Sequence, residues 1–243
     1  MNLKLLGILV LLTAVPAWAG PKPIIIGVSG GSASGKTTLA KRLYETLNVE
    51  GVAKDQILLI SQDNYFNPQQ QPKEFQMPTH PNFDHPTAMD FDLMRKHLAM
   101  LRNGQSIDLP DYDWVTNTRK PHGTKVDPAK VIIFEGIHAL HDETLRDQMD
   151  LKVFVQFPAD LRLIRRIKRD FKDRAKTADE TIHWYLTMVR PMHDKFIEPT
   201  AAYADAVFQG DANMEGAQEI AERVMAALAL EGCSESLTTS EAK

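Results

Sequence analysis

The feature that most constrains the fold is the octapeptide GGSASGKT at residues 30–37, which satisfies the pattern G-x-x-x-x-G-K-[ST]. It follows the apolar run PIIIGVSG and precedes a segment in which Leu39, Leu43 and Leu47 recur at helical spacing. Glycines let the backbone curl so that its N–H groups converge on phosphate oxygens at a helix N-terminus. The sequence therefore predicts a strand, a phosphate-binding loop and a helix. We call residues 30–37 the phosphate loop.

Three further apolar runs, QILLISQD, DPAKVIIFEGI and MDLKVFVQFP, alternate with segments of helical character. Continuous apolar runs, rather than alternating ones, are typical of strands covered on both faces. The alternation of strands and helices predicts an α/β fold with a mainly parallel sheet flanked by helices. With 43% apolar residues in 243, the chain can bury one full core.

Residues 20–230 are predicted to form a single domain. A polar, proline-containing insert occupies residues 64–130 and includes a helix near Asp90 to Arg102. A basic helix from Asp160 to about Ala175 would form a lid over residues 160–177, followed by an amphipathic helix ending near Lys195. After a short strand at 206–208, a last helix is expected from Met214 to about Leu230. Residues 231–243 contain little to bury and are predicted to be disordered.

The phosphate loop predicts a nucleotide site with Mg²⁺. Lys36 would reach the β and γ phosphates and the Thr37 hydroxyl would ligate the metal. Glu135 ends the run VIIFEG, where a carboxylate could hold Mg²⁺ directly or through water, although a surface strand end is the alternative. The full predicted nucleotide-binding set is Gly30, Gly31, Ser32, Ala33, Ser34, Gly35, Lys36, Thr37 and Thr38.

Asp63 is the candidate general base. It follows the run QILLISQD, so it should lie at the carboxyl edge of the sheet, where ligands of open α/β sheets bind. A carboxylate there can accept a proton from a hydroxyl that attacks the γ-phosphate. The alternative is a turn or helix-capping role for Asp63. The sequence contains no N-K-x-D motif, the guanine-reading signature of GTPases.

Basic residues are concentrated in the segment RLIRRIKRDFKDRAK, residues 162–176. Such a run usually forms a solvated helix face, but beside a phosphate loop its arginines can neutralise a phosphoryl group in transfer. Asp84 and Tyr112, both in the insert, could hold the acceptor. The net charge of −4 argues against a nucleic-acid partner, since phosphate backbones require excess positive charge.

Together these motifs resemble the uridine kinase (uridine–cytidine kinase) family. The resemblance covers residues 24–208 and includes GGSASGKTT, SQDNYF, NFDHPTAMD, YDWVTNTR, VIIFEGI, RLIRRIKRD and VRPMHDKFIEPTAAYAD. It implies a P-loop NTPase kinase fold with a helical lid, transfer from ATP or GTP with Mg²⁺ to the 5′-hydroxyl of uridine or cytidine, and a homo-oligomer, commonly a tetramer. By position, Asp63 resembles the catalytic base, Asp84 and Arg169 resemble ribose contacts, and Arg166 and Arg174 resemble lid arginines.

The chain departs from the family pattern where the pyrimidine should bind. Phe66 replaces a tyrosine, Asn117 a histidine, Lys176 the second arginine of R-G-R, and Trp184 a glutamine. Another sugar or nucleoside hydroxyl is therefore an alternative acceptor, and a nucleotide-binding protein without turnover is a second alternative. The predicted catalytic residues are Asp63, Lys36, Arg169 and Arg174. The predicted acceptor-binding residues are Asp84, Tyr112, Asn117, Phe66, Arg166, Arg169, Lys176 and Trp184.

Residues 1–19 resemble a secretory signal. Lys4 precedes an apolar run to Val15, and Ala17 and Ala19 form a small-x-small cleavage pattern. The run is shorter than the roughly 20 apolar residues that span a bilayer. Because ATP is available in the cytoplasm, we predict a cytoplasmic protein whose leader is uncleaved or a start-site artefact. A periplasmic or secreted location is the alternative if the leader is a real signal.

Overall fold

The computed structural model describes residues 22–77, 81–113, 116–211 and 213–240. Five parallel strands form the central sheet in the order β2-β7-β1-β8-β9, and two short antiparallel pairs, β3 with β6 and β4 with β5, lie in the insert. The strands are β1 Ile24–Gly30, β2 Ile57–Ser61, β3 Ile107–Leu109, β4 Tyr112–Asp113, β5 Thr118–Arg119, β6 Thr124–Val126, β7 Val131–Glu135, β8 Leu151–Gln156 and β9 Ala206–Gln209. The predicted fold class is confirmed.

Helices cover both faces of this sheet. They are α1 Lys36–Val49, α2 Phe91–Arg102, α3 Glu143–Arg146, α4 Ala159–Arg174, α5 Ala178–Trp184, α6 Arg190–Met192 and α7 Asn213–Ser240. The π-helical turns Tyr185–Val189 and His193–Ile197 flank α6, and the 3₁₀ turn Glu198–Tyr203 follows them. The remaining 3₁₀ turns are Lys54–Gln56, Gln62–Tyr65, Pro68–Gln70, Lys73–Phe75 and Pro86–Ala88.

Strand β1 divides the hydrophobic core into two layers, because successive side chains of a strand point to opposite faces. Ile24, Ile26 and Val28 pack with α1 and α7. Ile25 packs on the other face, in the layer that contains the buried residues of α2. The insert thus contributes a helix to the core of the same domain.

The register of the sheet brings the predicted site residues to one edge. Glu135 aligns with Val28 of β1 on one side and with Ser61 of β2 on the other. All three strands are parallel, so their carboxyl ends meet where the phosphate loop begins. Ligands of open α/β sheets bind at this edge.

Two predicted helix ends are wrong. The segment expected to end near Lys195 continues in helical turns to Tyr203, through Pro191 and Pro199. Each proline lies in the first turn of the helical piece that contains it. Helix α7 continues past Leu230 to Ser240, so residues 231–240 are helical where the sequence predicts disorder. Extending an existing helix costs much less than nucleating one.

Residues 241–243 and the leader at residues 1–19 lie outside the described residues. Within the described ranges, no helix is both long and apolar enough to cross a membrane.

Candidate active site

The phosphate loop connects β1 directly to α1, as predicted. Gly35, at the N-cap of α1, has a φ of 105°, and a Cβ there would lie 2.8 Å from the carbonyl oxygen of Gly210. Only glycine meets both constraints. The first turn of the helix begins at Lys36 and continues with Thr37 and Thr38, which are solvent-exposed. The N-terminus of α1 therefore faces a space open to an anion, with Lys36 beside it.

Asp63 lies in the 3₁₀ turn that follows β2. The N-cap of this turn is Ser61, whose hydroxyl accepts a hydrogen bond from the Asp63 N–H at 3.3 Å, so the capping role considered for Asp63 belongs to Ser61. Asp63 is a solvent-exposed residue of this turn, although many protein atoms surround its carboxylate. Burial, and then the negative charge of Glu135, raise the pKa of Asp63 to about 6, although Lys36 and two lid arginines oppose the shift. This value suits a group that takes up and releases a proton near neutral pH.

Glu135 ends β7 with its side chain buried. The Thr37 hydroxyl donates to one of its carboxylate oxygens at 3.1 Å, and the Ser61 hydroxyl donates to the other at 3.0 Å. A carboxylate and a hydroxyl at this point are the hard oxygen ligands that Mg²⁺ prefers, and Mg²⁺ bound with a nucleotide uses one or two protein ligands and phosphate oxygens. The residues present therefore fit the predicted metal.

The lid arginines are organised by Asp170, a residue whose role the sequence analysis missed. Its side chain is 1% exposed and pairs with three arginines. The distances are 3.3 Å to Arg166 Nε, 2.9 Å to an Arg169 terminal nitrogen and 3.7 Å to an Arg174 terminal nitrogen. Arg166 and Arg174 are each four residues from Asp170, and this spacing places the two arginines and the carboxylate on one helix face. The same spacing can be read from the sequence and would have identified Asp170.

The first two turns of helix α4 carry arginines that are buried rather than solvated. Arg162 and Arg166 are 3% and 6% exposed. Arg166 donates to the hydroxyl of Ser32 in the phosphate loop at 2.8 Å, so the lid helix is attached to the loop through this pair. Arg169 and Arg174, farther along α4, are close enough to Asp63 to lower its pKa.

Asp84 is the second buried carboxylate of the cleft. Its N–H donates to the side chain of Asn82 at 3.2 Å, and its carbonyl accepts from His138 Nε2 at 2.9 Å. Burial raises the pKa of Asp84, while Arg166 and Arg174 oppose this shift. Two carboxylates from different parts of the chain, Asp63 and Asp84, therefore face the same group of lid arginines. His138 was not predicted as part of this site.

The predicted acceptor residues that have not yet been described fall into two groups. Phe66 forms an aromatic cluster with Tyr112 at 5.5 Å and Phe83 at 5.8 Å between ring centroids. Asn117, with a φ of 53°, lies exposed at the turn between β4 and β5, and its carbonyl accepts from the side chain of Gln69. Both lie in the insert, residues 64–130.

The other group is at the end of the lid. The ammonium of Lys176 lies 3.3 Å from the ring centroid of Trp184, a cation–π contact. Burial, and secondarily Arg174 and Arg166, lower the pKa of Lys176. The two residues that depart from the family pattern on this side therefore contact each other, next to the lid arginines.

Comparison with known proteins assigns the family. Residues 25–215 match the model of the phosphoribulokinase/uridine kinase family. The chain belongs to this family. It is 48% identical over 187 residues to a uridine kinase of Bacillus pumilus, covering 76% of this chain and 86% of that protein. It is 45% identical over 186 residues to a uridine kinase of Deinococcus deserti, covering 76% of this chain and 87% of that protein.

Solved structures show the same fold. A protein described as a possible uridine kinase from Bacillus stearothermophilus aligns with a TM-score of 0.51 at 20% identity, over 78% of this chain and 90% of that one. D-glycerate 3-kinase from Cryptococcus neoformans aligns with a TM-score of 0.55 at 17% identity, over 82% of each chain. The predicted family and fold are both confirmed.

Proposed function

We infer that this protein is a nucleoside kinase that transfers the γ-phosphoryl group of ATP to the 5′-hydroxyl of uridine or cytidine, giving UMP or CMP. Membership of the phosphoribulokinase/uridine kinase family and the relatives named uridine kinase support this activity. The observation that carries it is the placement of Asp63, with its raised pKa, at the phosphate loop among Lys36, Arg169 and Arg174. These are the groups that phosphoryl transfer to an alcohol requires.

In the proposed mechanism, Asp63 accepts the proton of the attacking hydroxyl as the oxygen forms a bond to the γ-phosphorus. The bond between the γ-phosphorus and the bridging oxygen breaks, and that oxygen leaves with ADP. Lys36 and the lid arginines Arg169 and Arg174 neutralise the charge that spreads over the transferred group. Asp170 holds these arginines in place.

The donor site follows from the same residues. Gly30 through Thr38 would hold the triphosphate, and Thr37 and Glu135 would hold Mg²⁺, which when bound neutralises phosphate charge. On the acceptor side, Asp84 and Arg169 would hold the sugar, Arg166 would lie near the substrate, and the aromatic cluster of Phe66 and Tyr112 would contact the base. Asn117, Lys176 and Trp184 complete the proposed acceptor set. A cytoplasmic location and a homo-oligomeric state also remain proposals.

The acceptor is tested with a panel of alcohols. ADP release is measured with MgATP and uridine, cytidine, thymidine, adenosine or D-ribose. We expect kcat/KM for uridine and cytidine to exceed the others by roughly 100-fold or more, since a site built to bond the base rejects molecules that leave its polar groups unpaired. Stimulation by a different alcohol alone would contradict the pyrimidine acceptor. No stimulation by any alcohol would favour a nucleotide-binding protein without turnover.

The pH dependence of the reaction should follow the ionisation of the Asp63 carboxylate. Its carboxylate must be ionised to accept a proton, and its pKa is raised to about 6. With uridine saturating, kcat/KM for ATP should be flat above this pH and fall about tenfold per unit below it. The acid limb should persist in the control Asp55→Asn, an exposed carboxylate after α1, and disappear from the residual rate of Asp63→Asn. A limb centred near 3.8, the ordinary value, would contradict the assignment.

A further inference from the structure

The base of α4 contacts the phosphate loop at a second point, which the proposed mechanism does not use. Arg162, in the first turn of α4, is 3% exposed, and its Nε donates to the carbonyl of Phe157 at 3.0 Å. This bond fixes the plane of the guanidinium. Its terminal nitrogen NH1 has no hydrogen-bond partner among the described residues.

That nitrogen lies against Gly31 of the phosphate loop. A Cβ placed on Gly31 would lie 2.6 Å from Arg162 NH1 and 3.0 Å from the imidazole Nδ1 of His193. No side chain fits in this space without displacing one of the two groups. The guanidinium and the imidazole therefore both pack closely against Gly31.

His193 is itself held in place. It is 5% exposed, and its Nε2 lies 3.0 Å from a carboxylate oxygen of Glu198. Burial, and then the charge of Arg162, lower the pKa of His193, so the ring is neutral at physiological pH. Because a carboxylate only accepts, the proton lies on Nε2 and the Nδ1 lone pair is directed toward the Gly31 side. Glu198, His193 and Arg162 thus form a connected group that packs against Gly31.

Arg162 differs from the other buried arginine of α4 in its charge environment. Arg166 pairs with Asp170 at 3.3 Å. No described carboxylate forms an ion pair with Arg162. An unpaired buried charge is costly to the folded state, and in a low-dielectric environment it acts strongly on a nearby anion. The phosphate loop is the nearest anion-binding element of the fold.

We propose that Arg162, supported by the His193–Glu198 pair, is a positioning residue that fixes Gly31 and supplies unpaired positive charge next to the phosphate loop, so that it sets nucleotide affinity rather than the rate of transfer. The proposal rests on the proposed function only in that the loop binds ATP, and it does not depend on the acceptor. Arg162 acts through the backbone of the loop, whereas Lys36, Arg169 and Arg174 face the phosphoryl group.

The test compares Arg162→Met, which keeps much of the side-chain volume but removes the charge, with Arg162→Lys, which keeps the charge. Arg95→Met, an arginine of α2 paired with Asp142, is the matched control. Kd for MgATP and MgADP is measured by calorimetry, and kcat at saturating MgATP and uridine. We expect Arg162→Met to weaken MgATP binding roughly 10- to 100-fold, with a smaller loss for MgADP and a kcat within about threefold of the parent. Arg162→Lys should recover most of the affinity, and Arg95→Met should leave it unchanged.

Gly31→Ala is the second variant, which keeps the proposal testable if Arg162→Met does not fold. It should reproduce the loss of MgATP affinity. Because both changes disturb the same contact, the double variant Gly31→Ala/Arg162→Met should lose less affinity than the sum of the two single losses. Unchanged Kd in folded Arg162→Met, or equal losses in Arg162→Met and Arg162→Lys, would overturn the proposal, as would additive effects in the double variant. Kd is measured without an acceptor. The result can therefore be interpreted even if none of the nucleosides stimulates ADP release.

Discussion

Replacing Asp63 by asparagine is expected to lower kcat by roughly 10²- to 10⁴-fold while Kd for MgATP changes little, because the variant removes the proton acceptor and keeps the size of the side chain. In the proposed mechanism Asp63 acts on the incoming alcohol rather than on the bound nucleotide, while Lys36, Arg169 and Arg174 act on Asp63 through their charges. The measurement is the single-turnover rate with uridine, together with nucleotide binding by calorimetry. Asp55→Asn, far from the cleft, is the control and should keep full activity.

The same variant carries a stability signature that a merely structural carboxylate would not produce. The folded pKa of Asp63 is about 6, above the ordinary 3.8, so its contribution to stability is present at low pH and lost as the pH rises through 6. In nucleotide-free protein at pH 7, Asp63→Asn should therefore raise the thermal unfolding temperature, and the gain should vanish toward pH 4. Loss of both stability and nucleotide binding in Asp63→Asn would assign the residue to the fold instead of to proton transfer.

The sheet and its loop could be predicted because each depends on contiguous sequence. A run of four or five apolar residues identifies a strand covered on both faces, and the phosphate loop is recognisable from spacing alone. Parallel pairing then brings the carboxyl ends together, so Asp63 and Glu135 could be placed at one edge without knowledge of strand order. The charge run on α4 could be located in the same way.

The partners of these residues could not be predicted, since they depend on long-range packing. Arg162 reaches Gly31 across 131 positions of the chain, and His193 reaches the same glycine from a segment that the sequence analysis ended at about Lys195. Neither contact has a periodicity or motif of its own. Asp170 differs, because its spacing from Arg166 and Arg174 was present in the sequence. It was missed because a positive charge run directs attention to its basic residues and away from its two acids, Asp170 and Asp173.

Lys36→Ala should weaken both donor binding and transfer, in contrast to Asp63→Asn. The ammonium is predicted to contact the β and γ phosphates in the ground state and in transfer, so its loss removes favourable charge in both. We expect kcat to fall roughly 10²- to 10³-fold, with Kd for MgATP raised about tenfold or more. Removing Lys36 also removes a charge that lowers the pKa of Asp63, so the acid limb of the residual activity should move to higher pH.

Lys41→Ala, which replaces an exposed lysine of α1, is the matched control and should change neither constant. A Lys36→Ala protein with normal Kd and kcat would show that the loop does not hold the transferred phosphate, whatever the role of Asp63.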